Sequence, residues 1–365
     1  MTLLLKEIRH TPLLWLLALV PVVLLAQMLN PEAHTRLFIL SVLAIVPLAA
    51  MLSRATESVA AKTGDMVGGL LNATLGNLTE LLIALAALRA GQYVLVKASI
   101  AGAIITNALF LLGGSFLLGG LKHHVQDFNR NSARLQAGLL FLATIAMLIP
   151  SVVAEADAQS TNGEFVGVLS VGLSALLIAT YLLGLLFSLK THTEFFSDAQ
   201  HGELGQAPWP LSTALAVLGA VTVLVALVSE VFVESVQQAA TALGFSVAFV
   251  GFVIVALVGG AAEMVAGFSA ARKDRLDLSV GIALGSASQI ALFVAPVLVL
   301  VSYLIGPTPM SLQFWPGAVA MMLIASITAS LVTNTGRSAW FVGILVLNVY
   351  AMSAWMLYLL PSPVR

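Results

Sequence analysis

Two glutamates, Glu80 and Glu263, stand inside long apolar runs of the chain. Glu80 is followed by Leu81, Leu82 and Ile83, and Glu263 by Met264 and Val265. A carboxylate at such a place costs roughly 2.5–3.5 kcal/mol to insert into a membrane, and is by default a functional group. If either acid only locked helices together, a lysine or arginine would have to lie at similar depth. The nearest, Arg89 and Arg272, follow each acid by nine residues, more than two helical turns. Two carboxylates without a permanent counter-ion are chemically suited to holding a cation or protons.

The surroundings of the two acids repeat. Gly76-Asn77-Leu78-Thr79-Glu80 is followed by Arg89 at nine residues and Gly102 at twenty-two; Gly259-Gly260-Ala261-Ala262-Glu263 is followed by Arg272 and Gly285 at the same intervals. The next stretches also match in kind, Gly102-Ala103-Ile104-Ile105-Thr106-Asn107 against Gly285-Ser286-Ala287-Ser288-Gln289-Ile290. Asn77 and Glu80, three apart, share a face if the helix runs through them. Gly76, Gly259 and Gly260 allow the helix to loosen and expose backbone carbonyls. Thr106, Asn107, Ser286, Ser288 and Gln289 add side-chain oxygens. Such a set suits a hard cation such as calcium, which takes six to eight oxygen ligands and favours carboxylates. Taken singly, each neutral side chain serves equally as an interhelical hydrogen-bond partner, and each glycine as a close-packing position.

The elements that must position these groups are membrane helices. Of 365 residues, 59% are hydrophobic and only 9% charged, against about 25% in a soluble domain. Breaking the apolar runs at charges and turn residues predicts about eleven transmembrane helices, each needing roughly 20 residues. They centre near residues 21, 47, 77, 107, 142, 177, 220, 256, 291, 322 and 348. The chain therefore reads as an all-α polytopic membrane protein: an N-terminal segment with an extra first helix (1–32), a five-helix repeat (35–190), a polar linker (191–209) and a second five-helix repeat (210–360). An odd number of spans per repeat forces the two copies into opposite topology, an inverted repeat. Twelve of the sixteen Lys and Arg residues fall on one side of this arrangement, which places the N-terminus in the cytoplasm and the C-terminus outside. Met1 to His10 is too short and polar for a signal peptide, so the first apolar run is read as a retained span. Short loops point to a bacterial inner membrane.

Several classes are set aside. A net charge of −1 without a basic stripe argues against a nucleic-acid partner. With no cysteine there is no disulfide, thiolate metal site or thiol nucleophile. Neither a His-Glu-x-x-His metal motif nor a Gly-x-Ser-x-Gly elbow occurs, so an intramembrane enzyme is not expected. No resident cofactor is expected; the partners are the transported ions and the lipid bilayer. His34, His123, His124, His192 and His201 fall in loops or at span ends as ordinary interfacial residues. Glu230 and Glu234 share a helix face near the outer end of the seventh span, where they form a solvated face or guide cations inward.

The stretch from Gly68 to Glu80, Gly-Gly-Leu-Leu-Asn-Ala-Thr-Leu-Gly-Asn-Leu-Thr-Glu, closely resembles the first repeat motif of the calcium/proton exchanger (CAX) family within the cation/calcium exchanger (CaCA) superfamily. Gly281 to Ala291 resembles the second, with smaller echoes in Lys190-Thr191-His192 and Thr335-Gly336-Arg337-Ser338. The resemblance covers nearly the whole chain after the first span. It implies eleven spans, two inverted five-helix repeats with an extra first helix, and an ion site on the third and eighth spans where Glu80 and Glu263 bind calcium and protons alternately. Related sodium/calcium exchangers tend to carry a serine and a proline just before the acid; Leu78-Thr79 and Ala261-Ala262 here favour the proton-coupled branch. Two departures bear on selectivity: Gly260 stands where the family usually has asparagine, and Met264 where it has histidine. The linker acids Glu194 and Asp198 are left out of the site.

Burial disfavours a charged carboxyl, while a bound divalent cation favours it, so calcium and protons compete for the same oxygens. That competition suffices for antiport if the site opens to one side at a time. The expected function is exchange of cytosolic calcium for protons by alternating access; exchange of sodium or potassium for protons, on the same scaffold, is the alternative that Gly260 and Met264 keep open.

Overall fold

A backbone N–H or C=O left unpaired in hydrocarbon costs several kcal/mol, so long apolar runs close their own hydrogen bonds as helices. The computed structural model describes residues 11–156, 164–192 and 209–359, and helices dominate it. In chain order these are α1 (Pro12–Leu29), α2 (His34–Ala60), α3 (Asp65–Leu75), α4 (Leu78–Arg89) and α5 (Tyr93–His123). Strand β1 (Val125–Asp127) leads to α6 (Arg130–Ala156) and α7 (Phe165–Thr191). After the linker come α8 (Leu211–Leu243), α9 (Val247–Gly259), α10 (Ala261–Arg272) and α11 (Leu276–Ile305). The chain ends with α12 (Pro316–Thr333), β2 (Arg337–Ala339) and α13 (Trp340–Leu359).

Among the described residues, nine helices are long and apolar enough to cross a membrane, and α9 with α10, bent by 58°, make a tenth if taken as one span. The expected centre at residue 77 falls on the break between α3 and α4, helices of 11 and 12 residues that are too short to cross singly. By length and composition alone the described residues give nine or ten crossings, and the remaining expected span is the one centred on the α3–α4 break. The linker acids Glu194, Asp198 and Glu203 and His201 lie outside the described residues, as do Lys6, Arg9 and Arg365 of the orientation argument.

The element boundaries carry the internal repeat. Leu78 and Ala261, which open α4 and α10, lie 183 residues apart, and so do Tyr93 and Leu276, which open α5 and α11. α5 and α11 are each widened by a π-helical segment at the matching place, Thr106–Leu111 and Ile290–Val294. Such widened turns are frequent at functional sites.

Packing differs at the two ends of the molecule. Towards the end carrying Arg89, α5 lies directly on α9, where a Cβ on Gly102 would sit 2.2 Å from the Phe252 carbonyl oxygen. Small residues let membrane helices approach this closely. Here the acids expected as a solvated or guiding pair serve as ties: Glu230 pairs with Arg89 at 3.2 Å, and Glu234 accepts from Gln27 Nε2 at 2.7 Å. Gln92 Nε2 also donates to the Val233 carbonyl at 2.8 Å, binding the end of α4 to α8. After α11, Met310, Leu312 and Phe314 turn inward, and their N–H groups donate to the hydroxyls of Ser302, Ser170 and Ser151. The loop thus satisfies its backbone although its side chains are buried.

At the opposite, Lys/Arg-rich end, β1 and β2 pair antiparallel, with Gln126 opposite Ser338. Asp127 binds Arg337 at 2.5 Å. Lys122 Nζ, His123 Nε2 and Gln126 Nε2 gather on the last carbonyls of α10, those of Ala271 and Arg272, at 2.8–3.1 Å. Gln126 also donates to Asp274, and the Asn129 N–H to Asp277. His123, expected as an ordinary interfacial residue, is part of this clamp.

The Gly102 crossing leaves no room for a side chain. Gly102→Val should destabilise the protein by about 1–3 kcal/mol, the usual penalty of overpacking. Gly138→Ala, on α6 with no atom within 4 Å of the added carbon, should instead stabilise it slightly, by up to about 1 kcal/mol. The thermal midpoints of the two detergent-solubilised variants check this.

Candidate functional site

Both acids open a half-helix. Asn77 stands just before α4 with φ −101° and ψ 29°, outside helical geometry, and Gly260 occupies the equivalent place before α10 with φ −80° and ψ 15°. Glu80 and Glu263 therefore lie in the first turn of their helices. Helix N-termini carry partial positive charge, which steadies a nearby carboxylate. The breaks fall where the sequence places its glycines, at Gly76 and at Gly259-Gly260. The expectation that Asn77 and Glu80 share one continuous helix face is corrected: Asn77 belongs to the break, because the helix starts one residue later.

The repeats bring the two acids together. Glu80 leans on the break of the other half, its Cγ 3.1 Å and its Oε1 3.4 Å from where a Cβ on Gly259 would sit. The absence of a side chain at Gly259 makes that approach possible. Helix α2, which packs against α10, carries a third acid, Glu57. Glu57 was not expected. It accepts from Ser53 Oγ at 3.2 Å on its own helix, and its polar neighbours Ser53, Arg54, Thr56 and Ser58 give no sign of it in the sequence.

A chain of amides and a hydroxyl links the halves beside the acids. Asn107 Nδ2 donates to Ser286 Oγ at 2.8 Å, Ser286 Oγ donates to Asn77 Oδ1 at 2.6 Å, and Asn77 Nδ2 donates to Gln289 Oε1 at 2.8 Å. Gly76 lies alongside, with Gln289 Oε1 3.8 Å from its would-be Cβ. Thr106 is drawn off the chain, its hydroxyl 3.5 Å from that of Tyr350. Ser288 turns back to the Gly285 carbonyl at 2.9 Å. Of the expected oxygens, those of Asn77 and Gln289 are thus occupied within the protein.

Four oxygens in this cluster are not. Glu80 Oε1 and Oε2, Glu263 Oε2 and Asn107 Oδ1 are sealed from solvent without a hydrogen-bond partner among the described residues. Asn107 Oδ1 points at Gly260, 3.6 Å from where a Cβ would be, and the Met264 methyl fills the same gap at 3.5 Å. A buried oxygen without a donor costs about 1–3 kcal/mol, and a charged one more. Oxygens left so together form an acceptor set for a cation or for protons on the acids. A small cavity beside Glu80 is bounded by Ser99, Ala103, Ala256 and Ile290. Among the described residues no three His, Cys, Asp or Glu side chains converge.

Residues 34–190 and 213–359 match the sequence profile of the family described as sodium/calcium exchanger protein. The chain is 40% identical over 330 residues to a Ca2+/H+ antiporter of Bacillus subtilis, covering 89% of this chain and 92% of that one. It is 37% identical over 359 residues to a Ca2+/H+ antiporter of Aphanothece halophytica, covering 94% and 95%. The solved structure of native YfkE superposes with a TM-score of 0.81 at 36% identity, covering 94% of this chain and 98% of that one. A polytopic helical chain with two matched, broken helices, most of it shared with these antiporters, belongs to the sodium/calcium exchanger family.

Proposed function

We propose that this protein is a secondary antiporter that carries calcium out of the cytoplasm in exchange for protons, with Glu80 and Glu263 holding either a calcium ion or protons. The observation that carries the reading is the set of sealed, donorless oxygens of two acids from opposite repeats. Relatives named as Ca2+/H+ antiporters, matching over nearly the whole chain, support the choice of ions. In this reading the chain divides as the sequence indicates, into an N-terminal helix, two inverted repeats and a linker. Its Lys/Arg-rich end faces the cytoplasm of a bacterial cell, with the N-terminus on that side.

Each acid contributes differently to the same site. Calcium draws on the two carboxylates and on Asn107 Oδ1, with backbone carbonyls at the breaks near Gly76, Gly259 and Gly260 completing the shell. Asn77, Ser286 and Gln289 hold the amide of Asn107 and the two breaks in register. When calcium leaves, protons on the carboxylates remove the charge that hydrocarbon disfavours, so the site crosses the membrane occupied either way. The two acids titrate as a pair.

Glu80→Gln and Glu263→Gln should each abolish calcium-45 uptake into proteoliposomes driven by an imposed pH gradient, while both proteins remain folded. Uptake by wild type should fall as pH on the calcium side is lowered, because protons occupy the same oxygens. Full uptake by either variant would sink the scheme. Sodium and potassium added as competitors discriminate the monovalent alternative, which gains support only if they are taken up and calcium is not.

Ser286→Ala removes the donor to Asn77 and the acceptor for Asn107 at once. Leaving a buried amide unpaired costs about 1–3 kcal/mol, so calcium-dependent thermal stabilisation should weaken by about tenfold or more in calcium concentration. Ser288→Ala, whose hydroxyl bonds only its own helix, should leave it unchanged.

A further inference from the structure

The repeat allows each contact in one half to be compared with its counterpart 183 residues away in the other. In the first half, α5 and α9 are in backbone contact: Gly102 lies against Phe252, and a Cβ on Gly251 would come within 2.7 Å of the Ala98 Cβ. The counterparts of Gly251, Phe252, Ala98 and Gly102 are Gly68, Gly69, Gly281 and Gly285. All four are glycine, so α3 and α11 could approach at least as closely as α9 and α5 do.

Among the described residues, none of the neighbours of Gly68, Gly69 or Gly285 joins α3 to α11. A Cβ on Gly285 would find only Gln136 Oε1, at 3.8 Å, and one on Gly69 would meet the side chain of Leu189 on α7. Gly68 is accounted for by the Ala60 carbonyl, 2.2 Å from its would-be Cβ. Gly69 and Gly285 have no comparable backbone neighbour. Along α11, Asp277, Gly281, Gly285 and Gln289 recur every four residues and are all half-buried, a face that runs from the Lys/Arg-rich end to the amide chain of the site. A glycine inside a helix costs roughly 0.5–1 kcal/mol relative to alanine, which close approach of another backbone normally explains.

We propose that this face of α11 is the docking surface for α3: in the opposite state of the transport cycle Gly68 and Gly69 settle against Gly281 and Gly285, and the α5–α9 contact opens. The contact closes the path from the Lys/Arg-rich end as the Gly102 crossing closes the other end now. The counterpart glycines then have opposite tolerances. A side chain at 102 collides in this state, whereas a side chain at 285 collides only in the other one.

This inference rests on the alternating-access part of the proposed function and not on the identity of the ion. Gly285→Leu should keep the wild-type thermal midpoint and calcium-dependent stabilisation, yet lose exchange by about a hundredfold or more, since one of the two states is removed. Exchange near wild type would overturn the contact, as would joint loss of folding and calcium stabilisation. A second test uses the absence of native cysteine. Gly69→Cys with Gly281→Cys, treated during turnover with a short bis-methanethiosulfonate, should become bridged and inactive, and recover with reductant. A pair that never bridges while the protein is exchanging overturns the proposal. Wild type that fails to move calcium but moves another cation would overturn the calcium reading alone, and the bridging result would stand apart from it.

Discussion

Everything in this fold answers to one electrostatic constraint: two carboxylates must exist in a medium that does not solvate them. The chain meets it without a resident cation. It breaks two helices so that each acid sits on a helix N-terminus, and it sets a side-chain-free residue, Gly259, against Glu80 so the acids can come together. It then saturates most of the neighbouring amides with one another. What remains is a small group of oxygens whose only relief is something that enters from outside the protein. A site built this way is poorly stable when bare, because each buried oxygen without a donor carries the cost of its lost hydration.

Much of this was legible in the chain itself. Glu80 and Glu263 stood out because a lone acid in an apolar run has no cheap structural explanation, and the matching intervals to Arg89 and Arg272 exposed the duplication. The glycines marked the helix breaks to within a residue. Less legible was which neutral residue does what. Asn77 reads in sequence as a helical neighbour of Glu80, yet the break removes it from that face and gives its amide to Ser286 and Gln289. No pattern in one half reveals a partner supplied by the other. Glu57 is brought to this side of the molecule by tertiary packing alone, and the pairing of Glu230 with Arg89 joins helices that are far apart along the chain. That the helices break at their glycines was not itself legible, because an apolar run reads the same whether its helix is whole or broken at the centre.

The two halves are not equivalent, although their element boundaries coincide. One half has Asn77 where the other has Gly260, and the space beside Gly260 is shared by Asn107 Oδ1 and the Met264 methyl. The oxygen is therefore brought from the neighbouring span, and a soft apolar group sits where a second polar one could. Duplication supplies the scaffold, and substitution at a few positions divides the labour between the copies. The same asymmetry extends to packing, tight where α5 crosses α9 and loose along α11.

The clamp at the Lys/Arg-rich end has a mechanical implication. The β1–β2 pairing and the side chains gathered on the end of α10 join loops from both repeats, so α5, α6, α10, α11, α12 and α13 are fastened at one rim. Helices α2 and α8, which pack along each other through Phe38 and Phe232, lie outside that rim. The elements tied at that rim thus form one braced body, and α2 with α8 flank it as a separate pair. Strain applied to any one rim loop is therefore shared between the two repeats rather than borne by one.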